Sequence, residues 1–180
     1  MKQLTIVLDG IALIINRDNP VANLDMEQIH DIFIGKITNW KQIGGHDAQI
    51  HLIIREAGSG TRDAFEELTG LLGKDGSMAA EQYGIIVDST NAVSQCVSRD
   101  EKAIGYVSLG SIDPATKLLM VNGVVCNAEN IRSGTYALAR PFLFVTKQHT
   151  DSKKIDAFIN YVLGEEGQTI VAEEKFVPVK

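Results

Sequence analysis

The chain has 180 residues, 44% of them hydrophobic and 22% charged, with a formal net charge of −6. This balance is ordinary for a globular protein, and the length allows either one domain or two small lobes. No block or stripe of lysine and arginine stands out, which argues against nucleic acid as a partner. Anion binding stays open, because it depends on the local field of a site rather than on the total charge.

Two further classes receive no support from the sequence. No apolar run reaches the roughly 18 residues that a membrane span needs. The first residues lack the charged start, long apolar stretch and cleavage site of a signal peptide, so no signal peptide is expected in this chain.

The metal-ligating residue types are scattered. Cys96 and Cys126 match no metal or redox spacing and are expected to be small buried apolar residues, although a disulfide between them stays open. The four histidines have no i, i+4 spacing and no accompanying carboxylate cluster: His30, His46, His51 and His149. The sequence therefore predicts no metal site and no cofactor.

Strand and helix patterns alternate along the chain, which favours an α/β architecture. Two β-rich runs come first, at Leu4–Leu8 and Ile11–Ile15, and are divided by Asp9 and Gly10. Asp25 is then expected to cap a helix over residues 26–33.

The remaining elements follow in order. A strand at Ile50–Ile54 leads into a helix with apolar residues at helical spacing, and Gly70 and Gly73 are expected to close that region. The next elements are a strand at Ile85–Val87, a helix capped by Thr90, strands at Ala103–Leu109 and Leu118–Val125, a helical turn at Asn127–Ile131, a strand at Phe142–Val145 and a final helix from about Ser152 to Lys175.

The segment between the predicted strand at Ile50–Ile54 and the helix that follows it is rich in groups that bind anions. A helix N-terminus has unpaired N–H groups and the positive end of the helix dipole. Glycine lets a ligand approach the backbone, hydroxyls donate hydrogen bonds, and a guanidinium can fork onto two oxygens. All of these occur in one short stretch: Arg55, Gly58, Ser59, Gly60, Thr61 and Arg62.

Other interpretations of this segment fit its residues less well. A tight turn before a capped helix would explain Gly-Ser-Gly-Thr alone, but the flanking arginines favour an anion site. A phosphate-binding P-loop lacks its Gly-Lys-Ser/Thr, and a dinucleotide fingerprint lacks its third glycine, where Asp63 stands. A nucleophile elbow would need glycines two residues either side of Ser59. With no nucleophile–base pair elsewhere, the chain is not expected to be an enzyme.

The segment from Arg55 to Glu66 strongly resembles the phosphate-binding proteins that deliver phosphate to ABC importers. Four other segments resemble the same family, in the family's order: 9–16, 32–45, 103–108 and 133–141. The resemblance implies a two-lobed, periplasmic-binding-protein-like α/β fold. It also implies phosphate binding at Arg55, Ser59, Gly60 and Thr61, an ABC importer permease as partner, and an extracytoplasmic location.

The resemblance also implies how the chain is divided. Residues 15–115 are expected to form a complete second lobe that carries the anion-binding loop. Residues 1–14 and 116–180 would form a partial first lobe, without the N-terminal region from which the family draws further phosphate ligands. Those ligands include an aspartate that accepts the phosphate proton. Glu56 is the candidate acceptor in its place, although the favoured interpretation of Glu56 is a solvated loop residue. Arg140 is expected to be structural and Trp40 a packing anchor.

A partial first lobe would leave the strands at 4–14 and 142–145 without neighbours. The helix stripe of Ile155, Phe158, Ile159, Val162 and Leu163 would lose cover as well. We therefore expect a homodimer or a complementing N-terminal fragment. The alternative function is an interaction or signalling module that keeps the binding-protein fold with an idle anion site.

Overall fold

A computed structural model of the chain describes residues 1–71, 79–147 and 153–179. The strands in these residues are β1 (Lys2–Asn16), β2 (Asn23–Leu24), β3 (His51–Arg55), β4 (Ile85–Val87), β5 (Ala103–Ser108), β6 (Thr116–Leu118), β7 (Met120–Val121), β8 (Ala139–Thr146) and β9 (Val177–Pro178). The α-helices are α1 (Met26–Phe33), α2 (Gly60–Thr69), α3 (Thr90–Arg99), α4 (Ala128–Arg132), α5 (Lys153–Val162) and α6 (Glu165–Glu173). Leu72, one of the apolar residues predicted for the helix after Ile54, lies outside the described residues, as do Gly73, His149 and Ser152.

Strand β1 runs unbroken through the point at which two strands were predicted to divide. Asp9 is fully buried, and its carboxylate accepts hydrogen bonds from Ser108 and Arg140, so it fits inside a strand. Gly10 makes room for a neighbour: a Cβ at this position would lie 2.5 Å from Cδ1 of Ile131. The prediction of two strands is therefore wrong, because tertiary partners satisfy residues that usually mark a turn.

Strand β1 changes its partners halfway along its length. Residues 2–10 pair antiparallel with β8, and Val7 and Leu8 also pair with β9. Residues 11–16 pair antiparallel with β5 and β6 instead. One strand thus joins two groups of strands, while the division into 15–115 and the two flanking ranges stays a prediction.

The second group of strands is ordered β4-β3-β5-β1-β6. Strand β3 is parallel to both β4 and β5. Three aromatic residues from α1, α2 and β5 pack together. The rings of Phe65 and Tyr106 stack with centroids 4.2 Å apart, and Phe33 meets Phe65 edge-on. This buried cluster fixes α2, and with it the loop that precedes α2, against the sheet.

Several local predictions are confirmed. Asp25 caps α1, its carboxylate accepting from the backbone N–H of Gln28 at 2.7 Å, and α1 covers the predicted residues. Trp40 is buried and donates its indole N–H to the carbonyl of Lys102 at 2.8 Å, as expected of a packing anchor.

The predicted strand at Leu118–Val125 is wrong. Two short strands, β6 and β7, take its place, because Asn122 and Gly123 adopt left-handed backbone angles (φ 53° and 77°) that end β7 in a turn.

The long final helix is also wrong. Gly164 has extended backbone angles (φ −78°, ψ 172°) and separates α5 from α6. Glycine has the weakest preference for helix among residues other than proline, so it is a natural breaking point. None of the described helices combines the length and apolar composition needed to cross a membrane.

Candidate anion site

Two helix N-termini meet at one edge of the sheet. Because β3 and β4 are parallel neighbours, their carboxyl ends lie side by side, and each leads directly into a helix. Ser59 caps α2 and Ser89 caps α3, so the predicted cap at Thr90 is wrong by one residue. Such carboxyl edges of parallel sheets are the usual ligand positions, and helix N-termini favour anions.

The loop between β3 and α2 has the backbone shape that its glycines predict. Gly58 has φ +88°, a left-handed conformation that residues with a Cβ rarely adopt. Ser59 is buried, and its hydroxyl accepts from the backbone N–H of Arg62 at 3.4 Å. Gly60 is exposed, and among the described residues a Cβ there would meet only Nη1 of Arg140, at 3.9 Å. Space above Gly60 is therefore open.

The first turn of α2 leaves donors unpaired. The backbone N–H groups of Gly60 and Thr61 come too early in the helix to have an intrahelical acceptor. Within the described residues neither N–H has another acceptor, and the hydroxyl of Thr61 makes no hydrogen bond. Ser59 uses its hydroxyl oxygen as a cap acceptor and keeps its proton to donate. These donors suit an oxyanion, which accepts several hydrogen bonds in a small volume.

Arg55 ends β3 with its guanidinium partly engaged. Its Nε and Nη2 donate to the two carboxylate oxygens of Glu56 at 2.8 and 2.9 Å, and its Nη1 donates to the hydroxyl of Thr90 at 2.8 Å. The hydrogen bond from Arg55 holds the pKa of Glu56 below its ordinary value, and the same bond raises the pKa of Arg55. These contacts use three of five N–H donors, so one on Nη1 and one on Nη2 remain for a ligand.

Arg62 supports the loop from below and is itself buried. Its Nε donates to Glu66 at 2.5 Å, its Nη2 donates to Glu81, and its Nη1 donates to the carbonyl of Arg55 at 3.1 Å. The guanidinium therefore binds protein groups on every nitrogen. Arg62 holds the end of β3 against α2 and is not placed as a ligand.

Tyr106 anchors the same strand end from the other side. Its hydroxyl accepts from the backbone N–H of Arg55 at 3.3 Å, and its ring stacks on Phe65. Burial raises the pKa of Tyr106 to about 12, so the phenol is neutral under physiological conditions.

A second arginine reaches the loop from β8. Arg140 donates through Nε and Nη2 to Asp9, and through Nη1 to the backbone carbonyl of Gly60. The ion pair with Asp9 agrees with the structural role expected of Arg140. The contact with Gly60 was not foreseen, since nothing in the sequence relates residue 140 to residue 60.

The remaining candidates have ordinary surroundings. His30 and His51 each lie beside a carboxylate, Asp31 and Asp100. Cys96 and Cys126 are free thiols. Cys126 is buried, as expected for a small apolar residue, but the same expectation is wrong for Cys96, which is only partly buried. In the described ranges, no three His, Cys, Asp or Glu side chains are grouped so as to hold a metal ion.

Comparison with known proteins identifies the class. Residues 1–166 match the family described as the PBP superfamily domain. The structure superimposes on an ABC-type phosphate transport receptor from Vibrio cholerae with a TM-score of 0.92 and 34% identity, covering 98% of this chain and 72% of that one. The chain therefore belongs to the PBP superfamily. The predicted periplasmic-binding-protein-like α/β fold is confirmed.

Within that superfamily, the chain is similar to phosphate-binding proteins. A putative phosphate ABC transporter substrate-binding protein from Clostridium perfringens, with phosphate bound, is 42% identical with a TM-score of 0.83, covering 99% of this chain and 72% of that one. The phosphate-binding protein PstS of Borreliella burgdorferi is 32% identical over 99% of this chain. The chain spans 66% of that relative's length and 46% to 55% of several others.

The four predicted site residues lie where β3 ends and α2 begins. Arg55 ends the strand and Ser59 caps the helix, while the N–H groups of Gly60 and Thr61 have no acceptor among the described residues. Thr90 was predicted to cap a helix, but it accepts a hydrogen bond from Arg55 and orients that side chain instead. The signal in the sequence was its position at the start of the neighbouring strand–helix unit, one residue after the cap.

Proposed function

We propose that the chain binds a tetrahedral oxyanion, inorganic phosphate, at Arg55, Ser59, Gly60 and Thr61, without covalent chemistry. The observation that carries this proposal is a set of donors without a partner in the described part of the chain: those at the start of α2, beside two N–H groups of Arg55. Phosphate satisfies such a set because its oxygens accept charge-assisted hydrogen bonds from backbone and guanidinium groups together. The names of the relatives support phosphate as the anion.

We further propose that this loop is one part of a site. The chain spans at most two thirds of its curated relatives, and the family resemblance implies further ligands from an N-terminal region. The role that follows is the substrate-binding component of an ABC phosphate importer, outside the cytoplasm and with a permease as partner. Because part of the donor set would be supplied elsewhere, phosphate binding by this chain is expected to be weak.

Titration calorimetry with inorganic phosphate tests the site. Arg55→Ala removes a charge-assisted fork and is expected to weaken binding by about 1.5–3 kcal/mol. Arg132→Ala is the matched control, since Arg132 is exposed at the end of α4. Equal phosphate affinity in wild type and Arg55→Ala would refute the assignment. A chromogenic phosphate ester should not be turned over, and turnover would refute a pure binding role.

The alternative is an interaction or signalling module with an idle anion site. One observation favours it: Arg55 already holds Glu56 through two hydrogen bonds, which offsets part of its charge. Calorimetry separates the two functions, because an idle site predicts no heat of phosphate binding in the wild type at millimolar concentration.

We also propose that the chain assembles, as a homodimer or with a complementing N-terminal fragment. The support is the outward surface of α5 and β8, where Phe158, Tyr161 and Val145 are each about half exposed or more. Sedimentation of the wild type against Phe158→Asp tests this, with Val125→Asp as a control at another exposed apolar residue. A monomeric wild type with no second chain present would contradict the homodimer, and added N-terminal fragment that leaves sedimentation unchanged would contradict complementation.

A further inference from the structure

Arg140 connects the buried carboxylate of Asp9 to the backbone of the segment from Arg55 to Thr61, the anion loop. Asp9 is 0% exposed, and its Oδ2 accepts from Nη2 and Nε of Arg140 at 3.2 and 3.4 Å. Its Oδ1 accepts from the hydroxyl of Ser108 at 2.7 Å. The third guanidinium nitrogen, Nη1, donates to the carbonyl oxygen of Gly60. Both sides of the carboxylate are thus satisfied, and one edge of Arg140 is left to reach the loop.

The orientation of Arg140 is fixed by more than its ion pair. Its guanidinium carbon lies 4.9 Å from the centre of the Phe142 ring, two residues along the same face of β8. The side chain is only 17% exposed. Asp9 and Arg140 are direct partners in the pairing of β1 with β8. Register, aromatic packing and ion pair therefore all hold Nη1 toward Gly60.

The peptide that Arg140 contacts belongs to the proposed site. The carbonyl of Gly60 and the N–H of Thr61 form one planar peptide unit. A charged donor on the carbonyl oxygen polarises that unit and strengthens its N–H as a donor. The N–H of Thr61 is one of the two groups at the start of α2 that have no acceptor within residues 1–71, 79–147 and 153–179.

We infer that Arg140 is a positioning residue, which orients the Gly60–Thr61 peptide and strengthens its N–H toward the anion. This inference rests on the proposed function and adds a residue to its site. Arg140 acts through the peptide and does not touch the ligand. Its charge is balanced by Asp9, so its effect is directional and is not a long-range attraction for anions.

The alternative is a purely structural role, in which Arg140 only neutralises Asp9. Arg140→Lys separates the two. An ammonium group can neutralise the carboxylate and preserve folding, but it lacks the fork that reaches Asp9 and Gly60 together. Arg140→Gln removes the charge entirely and tests the same contact more severely.

Two measurements decide the inference. Phosphate titration should show an affinity loss of about 2- to 10-fold in Arg140→Lys and Arg140→Gln, as expected for one hydrogen bond. Arg132→Ala should bind as the wild type does. In NMR spectra without phosphate, the amide proton of Thr61 should move upfield in both Arg140 variants, and the urea midpoint of Arg140→Lys should stay near that of the wild type.

Each outcome bears on the inference separately from the proposed function. Wild-type phosphate affinity in a folded Arg140→Lys protein would overturn it, as would an unmoved Thr61 amide proton. If the wild type itself binds no phosphate, the proposed function fails, and the Thr61 amide proton still decides whether Arg140 polarises the peptide. If Arg140→Gln does not fold, the phosphate titration and the Thr61 amide shift are both measured on Arg140→Lys.

Discussion

The two groups of strands that β1 joins differ in how completely their helices are covered. Helices α1, α2 and α3 each bury apolar side chains, and Phe65 on α2 is 0% exposed. Helix α5 has no buried residue, and its Phe158 is 58% exposed. The anion loop therefore stands on the part of the described structure whose core is closed. Its geometry depends little on whatever covers α5.

The largest expected difference between the two groups of strands comes from truncating one aromatic residue on α2 and one on α5. Phe65→Ala removes a ring packed against Phe33 and Tyr106 and should lower the free energy of unfolding by about 3–5 kcal/mol. Phe158→Ala removes an exposed ring beside Phe144 and should change it by less than about 0.5 kcal/mol. Urea denaturation measures both. Similar losses would show that the α5 surface is as well packed as the core.

Gly58 and Gly60, which both lie on the well-packed group of strands, should differ in what they contribute to stability and to phosphate binding. Gly58→Ala forces a side chain into a left-handed backbone and should cost about 1–2 kcal/mol of stability. Gly60 has no such backbone angle, so Gly60→Ala should leave stability within about 0.5 kcal/mol. Its Cβ would nevertheless enter the open space above α2 and weaken phosphate binding. Urea denaturation and calorimetry on both variants check this. A Gly60→Ala protein that binds phosphate normally would place the anion elsewhere.

The selectivity between phosphate and sulfate tests whether the loop offers an acceptor for the phosphate proton. Glu56 is the candidate proton acceptor, but both of its oxygens accept hydrogen bonds from Arg55. Sulfate, which carries no proton at neutral pH, should therefore compete with phosphate to within about tenfold, or about 1.4 kcal/mol. Competition calorimetry gives the ratio. Strong preference for phosphate, lost in Glu56→Gln, would assign the discrimination to Glu56.

The smallest expected effect is a pH dependence of stability. Because the hydrogen bond from Arg55 lowers the pKa of Glu56 below 4.5 in the folded chain, its contribution is fully present above that pH. The contribution disappears as pH falls through the lowered value. The unfolding midpoints of wild type and Glu56→Gln should therefore differ at pH 6, and the difference should narrow as the pH falls below 4.5. Glu67→Gln, at an exposed carboxylate on α2, is the control. A gap that does not narrow at all as the pH falls below 4.5 would contradict the ion pair.

The site was predictable where its chemistry is local in sequence. Gly58, Ser59 and Gly60 follow one another between a strand and a helix, so turn and capping preferences alone indicated the loop. Thr90 and Arg140 were given other roles, because they reach the site only through the pairing of β3 with β4 and of β1 with β8. Strand registers of that kind depend on which surfaces become buried, and local preference does not determine them.

The sequence by itself determined the α/β class, the strand–loop–helix unit that carries Arg55 and Thr61, and the family resemblance. Those features depend on residue periodicity and on neighbours within a few positions, which the chain carries into any context. Only the tertiary structure decided that β1 passes through Asp9 without a break. It also decided that Glu56 occupies one edge of Arg55, and that Arg140 reaches the carbonyl of Gly60. A buried carboxylate is stable in a strand only when distant donors satisfy it, and those donors are brought together by folding.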